Sequence, residues 1–279
     1  VGVARLGVPS GFIGKVGDDP FGHHLAEVLR SEGVDVSQLR FDGEARTALA
    51  FVSLSESGER DFMFYRHPSA DMRHRPDELD EAAIRAADVL HVGSISTIVE
   101  PAASATRHAV RLAQAAGTLV SYDPNLRLPL WPDATAAERG IRALWGDADL
   151  IKVSDDELRF LTGGDDVAAA RSLWTPRLRA LLVTRGEAGV TYLLRDGHAH
   201  VPGFAVEVAD TTGAGDAFTA AVLAALVRTP TLLEDATALE AALRYANAFA
   251  ALTTTRRGAI PAMPDRGRVE RFLADHADG

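Results

Sequence analysis

Asp210-Thr211-Thr212-Gly213-Ala214-Gly215-Asp216-Ala217-Phe218 is the stretch on which the reading of this chain turns. It follows a strand-like segment and opens an Ala- and Leu-rich run that predicts a helix over residues 213–227. Two glycines at the mouth of a helix let the backbone come close to a ligand. The first helical N–H groups have no internal partner and sit at the positive end of the dipole, so an anion is expected there. Such a pocket also stabilises charge developing on a phosphoryl group in transfer. Asp216 falls in the first turn, where the dipole favours a carboxylate. A carboxylate beside an anion pocket can take the proton of an attacking hydroxyl. Taken alone, Asp216 is equally well explained as an ordinary helix-start acid.

Two other glycine motifs do not fit. A dinucleotide fingerprint needs a third small residue where Phe218 stands, and an Asp directly after the turn would repel a pyrophosphate. A P-loop fails because Val16 follows Gly14-Lys15 and Pro9 occupies the position of its first glycine.

Outward from this stretch the chain alternates. Apolar runs at 89–92, 119–122, 150–153 and 180–184 read as strands, and 102–116 and 155–161 as helices, the first ended by Gly117 and the second capped by Ser154. Segments 190–194 and 198–201 form a hairpin around Asp196-Gly197, and helices at 239–253 and 266–276 close the chain. Near the start, 11–16 reads as a strand leading through Gly17-Asp18-Asp19-Pro20 into a helix that stops by Gly33. Two β-rich runs, 47–54 and 61–65, interrupt the alternation with a turn at 55–59 between them. The expectation is an α/β fold, a mostly parallel sheet covered by helices on both faces, with a small β appendage. Ligands of such sheets bind beyond the carboxyl ends of the strands. That makes Asp123, Asn125, residues 152–157 (Lys152 to Glu157), residues 184–186 (Thr184 to Gly186) and residues 210–216 candidates by position.

The composition is that of a globular chain: of 279 residues, 47% are hydrophobic and 24% charged. Net charge is −10, the only lysines are Lys15 and Lys152, and the arginines are scattered, which argues against a nucleic-acid surface. The absence of cysteine excludes disulfides and thiolate chemistry. His198 and His200 share a strand face, but no third metal ligand accompanies them. No apolar run reaches the ~20 residues of a membrane span, and a cytoplasmic protein is expected.

Residues 210–216, D-T-T-G-A-G-D, resemble the second signature of the ribokinase-like (PfkB) carbohydrate kinases. Further similarity follows in order. It comprises Gly17 to Gly22 (G-D-D-P-F-G), residues 64–71 (F-Y-R-H-P-S-A-D), residues 123–131 (D-P-N-L-R-L-P-L-W) and residues 152–158 (K-V-S-D-D-E-L), closest to the fructokinase branch. The resemblance covers essentially the whole chain.

It implies a Rossmann-type core and a set of roles. Asp216 would be the catalytic base, and the amides of Gly213, Ala214 and Gly215 the anion hole. Thr184, Gly186 and Gly189 would line the ATP phosphates and ribose, with Asn247 and Ala250 at the adenine. Glu157 would hold Mg²⁺ through water; Ser154 stands where the family's N-x-x-E motif has Asn. Asp210 and Thr212 would contribute to a monovalent-cation (K⁺) site. Arg66, Tyr65, Asp19, Asn125 and Arg127 would attend the sugar or the phosphate path. Residues 39–67 would be the lid, between a first core part at 1–38 and the main core at 68–279, and lid-mediated homodimers are common in similar proteins. The family's first signature begins with a Gly-Gly pair and an Asn. Gly7 and Gly17 fit only its later half, so those residues, and the family's first strand, would precede Val1. The implied activity is transfer of the γ-phosphoryl of ATP to a small sugar, fructose before others. The alternatives are a 2-keto-3-deoxygluconate kinase or other sugar or nucleoside kinase, or a binding protein that keeps the fold.

Overall fold

A computed structural model describes residues 1–54, 60–66 and 68–276. Its strands are β1 (Gly14–Gly17), β2 (Leu39–Asp42), β3 (Leu49–Leu54), β4 (Arg60–Tyr65), β5 (Val89–Gly93), β6 (Leu119–Asp123), β7 (Leu150–Ser154), β8 (Ala180–Thr184), β9 (Gly189–Leu194) and β10 (Gly197–Pro202). The helices are α1 (Gly2–Arg5), α2 (Pro20–Ser31), α3 (Glu81–Ala86), α4 (Ala102–Ala116), α5 (Ala134–Arg142), α6 (Asp155–Thr162), α7 (Val167–Ser172), α8 (Ala214–Arg228), α9 (Ala236–Thr254) and α10 (Arg266–Asp275).

Six strands form one sheet in the order β10-β9-β8-β7-β6-β5. β5 to β8 run parallel, and β9 is antiparallel to both neighbours. The parallel strands are almost wholly apolar because helices cover both faces. On one face Leu150, Leu182 and Tyr192 pack against α8 and α9. On the other Tyr122, Ile151, Val153 and Leu181 meet Ile84, Val110, Ile141 and Leu158 of the remaining helices. α8 is buried around nearly its whole circumference, which explains why its sequence is apolar on all sides. The expected α/β sandwich is what forms.

The carboxyl ends of the parallel strands, Gly93, Asp123, Ser154 and Thr184, lie at one end of the sheet. Short caps turn the chain there. Ser154 accepts the Glu157 amide while Glu157 reaches back to the Ser154 amide, a reciprocal capping box that starts α6.

β1 pairs in parallel with β2, and β3 pairs antiparallel with β4; neither pair is hydrogen-bonded into the six-stranded sheet. The strand–loop–helix unit at the start of the chain thus contributes no strand to that sheet. The expected turn at 55–59 lies outside the described residues. α1, β2, α3, α5 and α7 have no counterpart in the sequence reading. α5 carries a glycine in its interior, and the reason is a close approach: a Cβ on Gly140 would lie 2.2 Å from the Trp131 ring.

Candidate active site

The loop before α8 is held by one acid. Asp210 Oδ1 accepts the Thr212 amide at 2.8 Å, and Oδ2 accepts the Gly258 amide at 2.9 Å. This ties the loop to the segment following α9. Gly213 then caps α8 with φ +80°, and a Cβ there would sit 2.9 Å from Ala259 Cβ. Both the left-handed backbone and the close neighbour demand glycine. The Gly213 carbonyl accepts the Ala217 amide at 2.8 Å, which leaves the amides of Gly215 and Asp216 free of backbone bonds among the described residues. Within the expected anion hole one amide has a partner. The Ala214 amide donates to the Thr211 carbonyl at 3.2 Å, so it is engaged in the turn.

Two cavities open beside this helix start. The larger, about 700 Å³, is lined by Asp216, His91, Asp123, Asn125, Thr47, Arg66 and Asp71 among others. The smaller, about 210 Å³, is lined by Thr184, Gly186, Gly189, Ala214, Gly215, Asn247 and Ala250, with Phe204, Val206 and Val208 as an apolar wall. The expected nucleotide residues therefore converge on one cavity and Asp216 opens onto the other. Phe204, Val206 and Val208 lie in an irregular segment between β10 and α8, where no periodicity in the sequence could flag them. Asn247 donates to the carbonyls of Val201 and Pro202 at 3.1 and 2.9 Å, which fixes this wall to α9.

Beside the first turn of α8 lies a buried ion pair. Lys152 Nζ on β7 is 3.2 Å from Asp123 Oδ2 on β6, and Thr219 of α8 donates to the same oxygen at 3.4 Å. Burial pulls the Lys152 ammonium down, but Asp123, Glu157 and Asp216 around it outweigh that and hold it above its ordinary value. Burial pushes the Asp123 carboxyl up, against the pull of Lys152.

Glu157 is buried, and its two oxygens accept the amides of Leu126 at 2.6 Å and Ser154 at 2.8 Å. With both oxygens so engaged, the donor set fits a divalent cation held through water and not by direct ligation. No group of three or more His, Asp or Glu side chains able to hold a metal occurs among the described residues. Asp210 and Thr212 stand together beside the smaller cavity, with the Asp210 carboxylate committed to the two amides above.

Of the expected sugar residues, Arg66 and Asn125 line the larger cavity. Arg66 is buried, donating to Asp71 at 2.8 Å and to the Ile95 carbonyl at 3.1 Å. Three others do not line this cavity. Asp19 is buried and spends its oxygens on the amides of Gly22 and Thr47 and the Thr47 hydroxyl, so it caps α2 and pins the loop at Thr47. Tyr65 is 60% exposed and stacks edge-on with Phe51 on the outer face of the β3–β4 hairpin. Arg127 donates to the carbonyl of its neighbour Leu126 and does not line the cavity. His91, Thr47 and Asp71 were missed; each is an ordinary strand or loop residue until the fold places it.

Residues 1–266 match the profile of the pfkB family carbohydrate kinases, and the chain belongs to that family. Among curated relatives, tomato (Solanum lycopersicum) fructokinase-2 is 54% identical over 275 residues, 98% of this chain and 84% of that protein. Probable fructokinase-3 of Arabidopsis thaliana is 53% identical over 277 residues, 99% of this chain and 80% of that protein. Among solved structures, a Xylella fastidiosa fructokinase with bound ATP superposes with a TM-score of 0.91 at 35% identity, covering 99% of this chain and 88% of that one. A Vibrio cholerae fructokinase bound to fructose, ADP and calcium gives 0.89 at 34% identity, covering 98% and 88%. The class is thus an ATP-dependent carbohydrate kinase. No helix among the described residues is long and apolar enough to cross a membrane.

Proposed function

We propose that this chain transfers the γ-phosphoryl group of ATP to a primary hydroxyl of D-fructose, giving fructose 6-phosphate and ADP. The observation that carries the reading is the adjacency of Gly215, which lines the smaller cavity, and Asp216, which lines the larger. ATP occupies the smaller cavity, with its base between Asn247, Ala250 and the apolar wall and its phosphates toward Thr184, Gly186 and Gly215. The sugar occupies the larger cavity with its hydroxyl at Asp216. The Asp216 carboxylate takes the hydroxyl proton as the sugar oxygen forms its bond to the γ-phosphorus. The bond from that phosphorus to the β,γ-bridging oxygen breaks, and ADP leaves. The amides of Gly215 and Asp216 meet the charge on the transferring group. Glu157 would hold a magnesium ion through water, and that ion would supply neutralisation of phosphate charge; Asp210 and Thr212 would contribute to a monovalent-cation (K⁺) site.

Charge in the larger cavity favours a neutral sugar. Its lining cations Arg66 and Lys15 are each engaged by a carboxylate, Asp71 at 2.8 Å and Glu78 at 2.5 Å. Neither guanidinium nor ammonium is spare for the carboxylate of a keto-deoxy acid, whose unpaired charge would be costly there. A coupled ADP-release assay over fructose, 2-keto-3-deoxygluconate, ribose and nucleosides tests the reading. Fructose is expected to give the highest kcat/KM; turnover of the keto-deoxy acid above fructose contradicts it, and no turnover of any sugar favours a binding protein.

A homodimer through the hairpin completes the reading. Phe51, Met63 and Tyr65 lie on one face of the paired strands β3 and β4, each more than half exposed. Such an apolar face on a small sheet is stabilised by a second copy. Sedimentation of the protein and of Phe51→Glu is expected to show dimer and monomer respectively; a monomeric parent contradicts it.

A further inference from the structure

The ammonium of Lys152 has more to do than balance Asp123. It carries three donors, and Asp123 Oδ2 is its one hydrogen-bond partner among the described residues. It lies directly under the first turn of α8, where a Cβ placed on Gly215 would come within 3.2 Å of it. Gly215 lines the smaller cavity, and Asp216, its neighbour in sequence, lines the larger. A phosphoryl group passing from one cavity to the other must cross this turn. Glycine at 215 leaves open the space between the turn and the ammonium. A buried cation at the positive end of a helix is unfavourable by itself. It is the type of charge that a migrating phosphoryl group, gaining negative charge on its equatorial oxygens, would meet.

We infer that Lys152 is a catalytic residue that donates a hydrogen bond to an oxygen of the phosphoryl group in transfer. The inference rests on the kinase reading above. The bland alternative is a structural ion pair, in which Lys152 serves only to neutralise Asp123 inside the sheet. The two differ in what happens when both partners are removed. For a structural pair, Lys152→Met harms the protein by stranding a buried carboxylate, and adding Asp123→Asn relieves the harm. For a phosphoryl donor, the loss remains.

The experiment compares the parent, Asp123→Asn, Lys152→Met and the Lys152→Met/Asp123→Asn double variant with fructose and Mg·ATP. The melting temperature of the double variant serves as the check on folding. The double variant is expected to fall about 10²- to 10³-fold in kcat below Asp123→Asn, with KM for fructose within threefold. Tightening of ADP binding by fructose plus aluminium fluoride, a planar mimic of the transferring group, is expected to be lost in both lysine variants while ADP alone binds as before. Equal kcat, within threefold, in the double variant and Asp123→Asn overturns the inference. Should Asp123→Asn itself be inactive, unchanged aluminium fluoride tightening without Lys152 overturns it equally. A parent that phosphorylates no sugar sinks the kinase reading instead, so the two failures are distinguishable.

Discussion

Gly215 and Asp216 are adjacent in the first turn of α8, yet Gly215 opens onto the smaller cavity and Asp216 onto the larger. One turn of helix thereby fronts both cavities. α8 is otherwise buried, so its start is positioned by the whole core and by the Asp210 clamp. Positioning of this kind is what phosphoryl transfer requires of a protein.

Adding a methyl group at 215 tests the approach from the nucleotide side. Gly215 has an ordinary helical backbone, and a Cβ would press only on Lys152 Nζ at 3.2 Å, the end of a flexible side chain. Gly215→Ala is expected to fold with a melting temperature near that of the parent and to lose about 10- to 100-fold in kcat. The coupled assay and a thermal melt check it.

Gly213→Ala is expected to behave differently. The φ of +80° and the 2.9 Å approach to Ala259 make the cost structural, about 1–3 kcal/mol of stability. Denaturant unfolding measures it. A variant as stable as the parent would show that the loop relaxes away from Ala259.

Asn247→Ala removes donors to the Val201 and Pro202 carbonyls. Leaving those carbonyls unpaired against α9 costs about 1–3 kcal/mol. The same change frees the apolar wall of the smaller cavity, so the KM for ATP should rise while the KM for fructose holds. Steady-state kinetics with each substrate varied checks the asymmetry.

The Asp19 cap gives stability a dependence on pH. Burial would raise its carboxyl, but hydrogen bonds from Thr47 and Gly22 outweigh that and hold it below its ordinary value of 3.8. A depressed carboxylate contributes stability that is fully present above the unfolded value and is lost as pH falls through the native one. Asp19→Asn is expected to be less stable than the parent at pH 7, by about 1 kcal/mol. The gap should narrow as pH drops below about 4. Urea unfolding at pH 7 and pH 3 reads both arms, and a gap that widens in acid contradicts the assignment.

Much of this architecture is legible in the chain because local and global preferences agree. α4 ends where Gly117 adopts φ +81°, and the buried strands β6 to β8 are continuous apolar runs between turn residues. The smaller cavity was legible only in part: Thr184 and Gly186 fall at the carboxyl end of β8, while Gly189, Asn247 and Ala250 entered through the family resemblance. What escaped the sequence depends on distant partners. α5 carries Gly140 in its interior, and the sense of that glycine appears only with Trp131 across it. Asp19 reads as a turn former near the sugar, and only the loop at Thr47 reveals where both its oxygens go. Tyr65 sits in a motif-like stretch, but the two-residue period of β4 puts it on the outer face of the hairpin. The Lys152–Asp123 pair joins two strands 29 positions apart in sequence, a contact no local pattern specifies.

The most direct test of the account is Asp216→Asn, which keeps the side chain's shape and removes its capacity to take a proton. Turnover with fructose is expected to fall by about 10²- to 10⁴-fold, with ADP binding by calorimetry unchanged within threefold. Turnover within tenfold of the parent would contradict the role of Asp216 as the base at the start of α8.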